Sequence, residues 1–366
     1  MQIGERLRRA RTAMGYTLDR VSAATNIGQS SLSDFENDKR EPRFSQLSSL
    51  AELYRRPVEF FLSEERSAEN VMLWRDAPGT EEQARETEAE FRRLCEQYRN
   101  IEMILEEVRE TKLPTPRISD AEKFDYDEAE FFAGQVQKEF CLDDVPVASL
   151  KRKLEEAYYV KIFYLSFTGS AISTVSEQFG PAILLNSNNK PWRRSYDLAH
   201  ELFHILTWHV FRPRDGVATS QEERLANAFA SRLLMPEESI KFRIKERADE
   251  KGRISFGQLD DIAREYDVSL QALIYRLATI YHFPKERTAG YIDSAQKYLD
   301  CVRPRASNQP DERPERYCSL AIRALNEGKL SLTRFAKYMG LSYRKAQEYL
   351  MDEGDLKDEE VSIPLA

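Results

Sequence analysis

Along most of the chain apolar residues recur every three or four positions, and in two stretches this gives way to short apolar runs. Near the start, Ile3, Leu7, Ala10 and Met14 share one helical face, and Gly15 stops that helix. Thr17 is placed to cap a second helix with Val21 and Ala24 inward. The Ile27-Gly28 turn leads into QSSLSDFEN, where Leu32 and Phe35 face in, and Pro42 ends that unit. FSQLSSLAELY gives a fourth helix and PVEFFL a fifth, because proline is tolerated in a first helical turn.

From Thr80 to Glu110 there is neither Gly nor Pro. Ala84, Thr87, Phe91, Leu94, Tyr98, Ile101, Leu105 and Val108 alternate steps of three and four, a heptad seam. It predicts a long helix, packed either on its own chain or on a second copy as a coiled coil. LPTPRIS, with Pro114 and Pro116, breaks it and marks a linker. Beyond, EAEFFAGQVQKEF and VASLKRKLEEA read as helices. YYVKIFYLSF and GPAILLNS, rich in aromatic and branched residues, read as strands. SYDLAHELFHILTWH and EERLANAFASRLLM are amphipathic helices, and SFGQLDDIAREYDVSLQALIYRLATI gives two more. A polar, loose stretch around ASNQPDERPER precedes three short helices, SLAIRALNEG, SLTRFAKYMG and SYRKAQEYLM.

A chain of 366 residues is too long for one ordinary core, so two or three domains are expected. At 41% hydrophobic and 32% charged it reads as globular and polar. No apolar run approaches membrane-span length, and MQIGERLRRARTAMGY lacks the apolar core of a secretory signal, so the cytoplasm is expected and no membrane partner. Cys95, Cys141, Cys301 and Cys318 are far apart and form no CxxC pair, which suits reduced thiols. The net charge of −8 argues against nonspecific nucleic-acid binding by the whole surface. Residues 1–63 differ: ten Arg or Lys stand against eight Asp or Glu, a balance of +2 that leaves −10 for the rest. A mildly basic module on an acidic body can still meet phosphates locally.

The candidate chemistry lies between Ser195 and His209, which hold three of the four histidines. His200 and His204 are one helical turn apart and project from one face, as two neutral imidazoles holding one Zn2+ must. Glu201 lies about 100° round the helix, where it can reach a water at the metal and act as general base. A catalytic zinc needs a third protein ligand and one open position. Glu223 follows His204 with eighteen residues intervening, at the start of the next helix. Asn227, four residues on, shares its face and could accept the outer N–H of a ligating histidine. Glu222 is an alternative third ligand, as helix boundaries shift by a residue. His209, five residues past His204, is a poor helical spacing. Buried, hydrogen-bonded histidines are the bland alternative.

AILLNS, RRSYDLAHELFH, EERLANAFASRLLMP and REYDVSLQALIYRL resemble successive blocks of the ImmA/IrrE family of bacterial and phage metallopeptidases, over about Glu128 to Leu277. The resemblance implies zinc on His200, His204 and Glu223 with Glu201 as base, and a repressor protein as substrate. Phe203 stands where that family usually has Gly, which bears on substrate access. TLDRVSAATNIGQSSLSDFENDKREP resembles a Cro/repressor-type (XRE) helix-turn-helix. That implies a recognition helix in a major groove of operator DNA, starting at Gln29, Ser30 and Ser31, with Ser33 and Asp34 next. Asn37, Lys39 and Arg40 would hold phosphates, and the module would bind as a homodimer. Leu18 stands where that family often has a polar phosphate contact.

The expected architecture is mainly α. It has an N-terminal all-α five-helix repressor-type domain (1–63) and a long helical linker with a candidate coiled-coil dimer segment (64–118). A small α+β zincin-like peptidase domain (119–285) and a C-terminal helical segment (286–366) follow. The expected function is a DNA-binding regulator whose zinc peptidase cleaves a regulator or itself on a signal. The alternative is a non-proteolytic regulator or antitoxin whose zinc domain senses a ligand or partner.

Overall fold

Along GPAILLN successive side chains enter opposite cores: Ala182 and Leu184 join one apolar cluster, Ile183 and Leu185 the other. This period of two, with both faces covered, is why the stretch reads as a continuous apolar run. The computed structural model describes residues 3–62, 71–77, 79–212, 216–302, 305 and 308–354. Residues 63–70, which include the start of the anticipated linker (64–118), and the final residues (355–366) lie outside the described residues.

Five helices form the first unit: α1 (Ile3–Ala13), α2 (Leu18–Thr25), α3 (Gln29–Glu36), α4 (Phe44–Leu53) and α5 (Val58–Leu62). Thr17 caps α2 by accepting from the Arg20 amide, and Asn26 ends it in the left-handed conformation (φ 55). Leu7, Val21, Leu32, Phe35 and Leu50 make its core, the five-helix arrangement the pattern predicts.

The sheet has four strands in the order β1-β3-β4-β2: β1 (Leu73–Arg75), β2 (Lys161–Leu165), β3 (Ala171–Ser176) and β4 (Gly180–Asn186). β1 and β4 are antiparallel to β3, and β2 runs parallel to β4. β1 and β3 are additions to the sequence reading. β1 is only three residues long, and β3 (AISTVS) hides its pattern because it buries Ser173 and Thr174.

One face of the sheet carries α6 (Glu81–Ile104). Phe91, Leu94, Tyr98, Ile101 and Leu105 of the heptad seam are all buried, packed with Phe163, Ile172 and Leu184 of the sheet. The helix ends six residues earlier than the lack of Gly or Pro suggests, because Glu106 adopts a left-handed φ of 58. From Phe91 to Leu105 the seam is thus occupied by the chain itself, which speaks against the coiled-coil reading of α6. The same cluster takes Tyr317, Leu320 and Phe335 from α16 (Glu315–Asn326) and α17 (Leu332–Met339), with α18 (Tyr343–Gly354) following.

The other face is covered by α7 (Tyr126–Glu139), α8 (Val147–Glu156), α9 (Pro191–Leu206) and α11 (Ser220–Leu234), with α10 (Trp208–Phe211) between the last two. α9 starts earlier than expected, with Pro191 at its first position. Outside them lie α12 (Glu237–Arg247), α13 (Phe256–Glu265), α14 (Leu270–Ile280) and α15 (Lys285–Cys301). Ala295 of α15 is buried in this core, so that helix packs with the anticipated peptidase domain. Among the described residues no helix is long and apolar enough to cross a membrane.

Candidate metal centre and helix-turn-helix surface

α9 lies against β3 and β4 and brings His200, Glu201 and His204 under the sheet, all essentially buried. α11 packs beside it, held at its start by a capping box in which Thr219 accepts from the Glu222 amide and Glu222 accepts from the Thr219 amide. That start places Glu223 opposite the histidines. Glu223 Oε2 is 3.2 Å from His200 Nε2, and Glu223 Oε1 is 3.5 Å from His204 Nε2. The two Nε2 atoms lie 3.2 Å apart. The ligand atoms of the three side chains all fall within 4.8 Å of one another.

The outer ring nitrogens are each held. His200 Nδ1 lies 3.2 Å from Asn227 Oδ1, and His204 Nδ1 lies 3.0 Å from Glu222 Oε1. Both partners are oxygen acceptors able to take a proton from Nδ1; in the neutral rings that metal ligation requires, each Nε2 lone pair would then turn inward. Two lone pairs and a carboxylate aimed at one point repel unless a cation sits among them. The donor set, two imidazoles and one carboxylate, is the chemistry that suits zinc.

Glu201 is enclosed, and neither of its carboxylate oxygens has a hydrogen-bond partner. Burial pushes its pKa up to about 7, with the charge of His204 pulling the other way. Burial likewise lowers His200 to about 3. For His204 burial is outweighed by hydrogen bonds to Glu222 and Glu223, which raise it to about 9. Glu223 is held far below the usual carboxylate range by both histidines, which overcome its own desolvation.

Asn227 thus stands at the outer nitrogen of His200 and Glu222 at that of His204, and Glu222 lies outside the cluster of His200, His204 and Glu223. His209 is exposed on α10, away from the cluster. Phe203 is fully buried, its ring 5.5 Å from Phe229, 5.9 Å from Phe124 and 6.0 Å from Phe211, and it meets the His204 ring edge-on at 5.7 Å. It packs the core behind the histidines.

Arg75 was not legible in the sequence. From β1 it donates to Asn227 Oδ1 at 3.4 Å and pairs with buried Asp197 of α9 at 2.9 Å. It spans 152 residues to reach Asn227, brought there by the pairing of β1 with β3 and by the bridge from Trp74 to Val217. The one hint is the short apolar run VMLW preceding it.

On the first unit, Gln29, Ser30, Lys39 and Arg40 are exposed, while Ser31, Ser33 and Asp34 are half-buried. Gln29 donates to Asp19 at 2.6 Å, bracing the start of α3 against α2. Asn37, though exposed, is engaged locally: it donates to the Ser33 carbonyl at 2.7 Å and accepts from Arg8 at 2.5 Å. Leu18 packs against the unit's core.

Comparison with known families agrees with both halves. Residues 7–61 match the profile of the helix-turn-helix family, and residues 155–278 match that of peptidase family M78, the IrrE N-terminal-like domain. The chain joins a helix-turn-helix domain of XRE type to an IrrE-like peptidase domain. The HTH-type transcriptional regulator ImmR of Bacillus subtilis (strain 168) is 35% identical over 65 residues, which is 18% of this chain and 51% of that protein. The similarity therefore spans about half of that relative's length. His200, Glu201, His204, Glu223 and Asn227 all fall inside the IrrE-like domain, whereas Arg75 lies outside both matched segments.

Proposed function

We propose that this protein is a cytoplasmic, DNA-binding transcriptional regulator with a zinc metalloendopeptidase centre, which cleaves a regulator polypeptide or its own chain in response to a signal. The observation that carries it is the convergence of His200, His204 and Glu223 beside the unpartnered carboxylate of Glu201. Bound there, zinc would supply Lewis-acid activation of water and of a peptide carbonyl. Glu201, with a pKa of about 7, is suited to take a proton from the attacking water and pass it to the leaving amine nitrogen. Asn227 and Glu222 keep both histidines in the ligating tautomer. At the other end, Gln29, Ser30, Ser31, Ser33 and Asp34 would meet base edges, with Asn37, Lys39 and Arg40 at phosphates. A homodimer on operator DNA would use a surface other than the α6 seam.

The test is a Glu201→Gln variant, which should keep zinc and DNA binding and lose cleavage. If the variant regulates its promoter as wild type does and neither protein cuts any polypeptide offered, the peptidase reading fails. The complete enclosure of Glu201 favours a second reading, a zinc domain that senses a ligand or partner without cleavage, as in a non-proteolytic regulator or antitoxin. That reading expects Glu201→Gln to be silent and His204→Ala to disturb regulation.

A further inference from the structure

The helix pair α17–α18 repeats the cap, length and turn of α2–α3 at a constant offset of 314 residues. Thr17 caps α2 by accepting from the amide three residues on, at 3.2 Å; Ser331 caps α17 in the same way at 3.3 Å. Each cap is followed by an eight-residue helix. Each helix ends on one left-handed residue, Asn26 (φ 55) and Gly340 (φ 67). After two intervening residues the next helix begins, at Gln29 and at Tyr343. The apolar positions coincide as well: Val21 with Phe335, and Leu32 with Ala346, are all buried. The preceding helices differ in what they cover: α1 packs on α3, whereas α16 packs on α17. Cap, length, turn and inward residues at one offset make α17 and α18 a helix-turn-helix by geometry.

Geometry alone does not make a DNA reader, as α13 and α14 show. They are joined by a similar turn, with Asp267 left-handed (φ 46) and Ser269 capping α14. Counting from the cap, the outward positions of α14 are Leu270 and Ile274, and both are buried in the main core. The corresponding positions of α18 are Tyr343 and Gln347, and both are exposed, as is Arg344 between them. The charge fits a polyanion. Residues 315–354 hold seven Arg or Lys against five Asp or Glu, a balance of +2 equal to that of residues 1–63, in a chain of net −8. Asp352 and Glu353 stand at the far end of α18. Lys337 and Lys345 are exposed and have no ion-pair partner among the described residues. The two sets of helices also sit side by side on α6. Arg55 and Arg56 reach Glu90 and Glu96, and Asn100 donates to Tyr338 of α17 at 2.9 Å.

We propose that α16–α18 form a second DNA-binding module, with Tyr343, Arg344 and Gln347 offered to a groove of duplex DNA and Lys345 to its phosphates. This goes beyond the DNA reading of the first unit and does not depend on it. The probe is a mixed-sequence duplex of about 40 base pairs, titrated with the full chain over a salt series. The double variant Arg344→Ala/Lys345→Ala alters only exposed side chains and should melt as wild type does. Its affinity should fall about tenfold, and its slope of log K against log salt should shrink by about 2. Ser30→Glu in α3 separates the two modules. If Ser30→Glu weakens binding while the double variant keeps wild-type affinity and slope, the second module is overturned and the first stands. If only the double variant weakens binding, the second stands without the first. A wild-type chain that binds no duplex overturns both.

Discussion

Arg75 shows how one side chain can order a site that it does not enter. Its guanidinium fixes Asn227, whose oxygen fixes the tautomer of His200, and its second arm pins Asp197 on the same helix. Arg75→Ala should lower zinc affinity about 10- to 100-fold, as loss of outer partners does, measured by competition with a chelating dye. Arg75→Lys should not restore it, since an ammonium cannot span both acceptors. A different residue sets a pH response of the fold. Burial pushes Glu155 from 4.5 up to about 7, against the pull of Lys151. A carboxyl raised in the folded state supports stability below its unfolded pKa and loses that support as pH climbs through the folded value. Between about 4.5 and 7 the wild type should therefore weaken with rising pH. Glu155→Gln should remove the slope and be more stable at pH 8 by about 3 kcal/mol, read from denaturant unfolding at several pH values.

At the scale of elements, α6 and β1 carry the connection between the two domains. The heptad seam of α6 was legible as a period, but a period does not say which surface fills it. Phe91 is fully buried under the sheet and its ring lies 6.3 Å from that of Phe163. Phe91→Ala should cost about 3–5 kcal/mol and leave the oligomeric state in analytical ultracentrifugation unchanged. A seam shared between copies would instead change both. β1 is held by close backbone approach. Gly169 has φ +128, and a Cβ there would stand 2.6 Å from the carbonyl oxygen of Asp76, just past β1. Gly169→Ala should cost about 1–3 kcal/mol in thermal unfolding and reduce zinc affinity together, because Arg75 rides on that strand.

Across the whole molecule, the first unit is docked on α6 by Ala89 in its core and by ion pairs that include Arg55–Glu90 at 2.9 Å, Arg56–Glu96 at 2.7 Å and Arg20 with Glu82 and Glu86. The Arg56–Glu96 pair is largely buried: desolvation lowers Arg56 to about 10 and raises Glu96. Removing one partner of such a pair leaves the other charge stranded, at a cost of about 3 kcal/mol or more. Glu96→Ala should therefore split off an early melting step for the first unit in calorimetry, with zinc content unchanged. A single unaltered transition would mean that the pair does not hold the units together.

The local chemistry was legible in the sequence because it follows short-range rules. A turn of helix places His200 beside His204, the start of the next helix places Glu223, and four residues more place Asn227. The five helices of the first unit follow from caps, turns and a period of 3.6 in the same way. Long-range pairing was not legible, because no local pattern states which edge a three-residue strand will join. The assignment of α6 to its own sheet, the burial of Glu201 beneath β3 and the reach of Arg75 to Asn227 were decided by tertiary packing alone. The likeness between the chain's two ends lies between these cases. Its spacing is written in the sequence, but only burial distinguishes α18, whose outward face is open, from α14, whose face is closed.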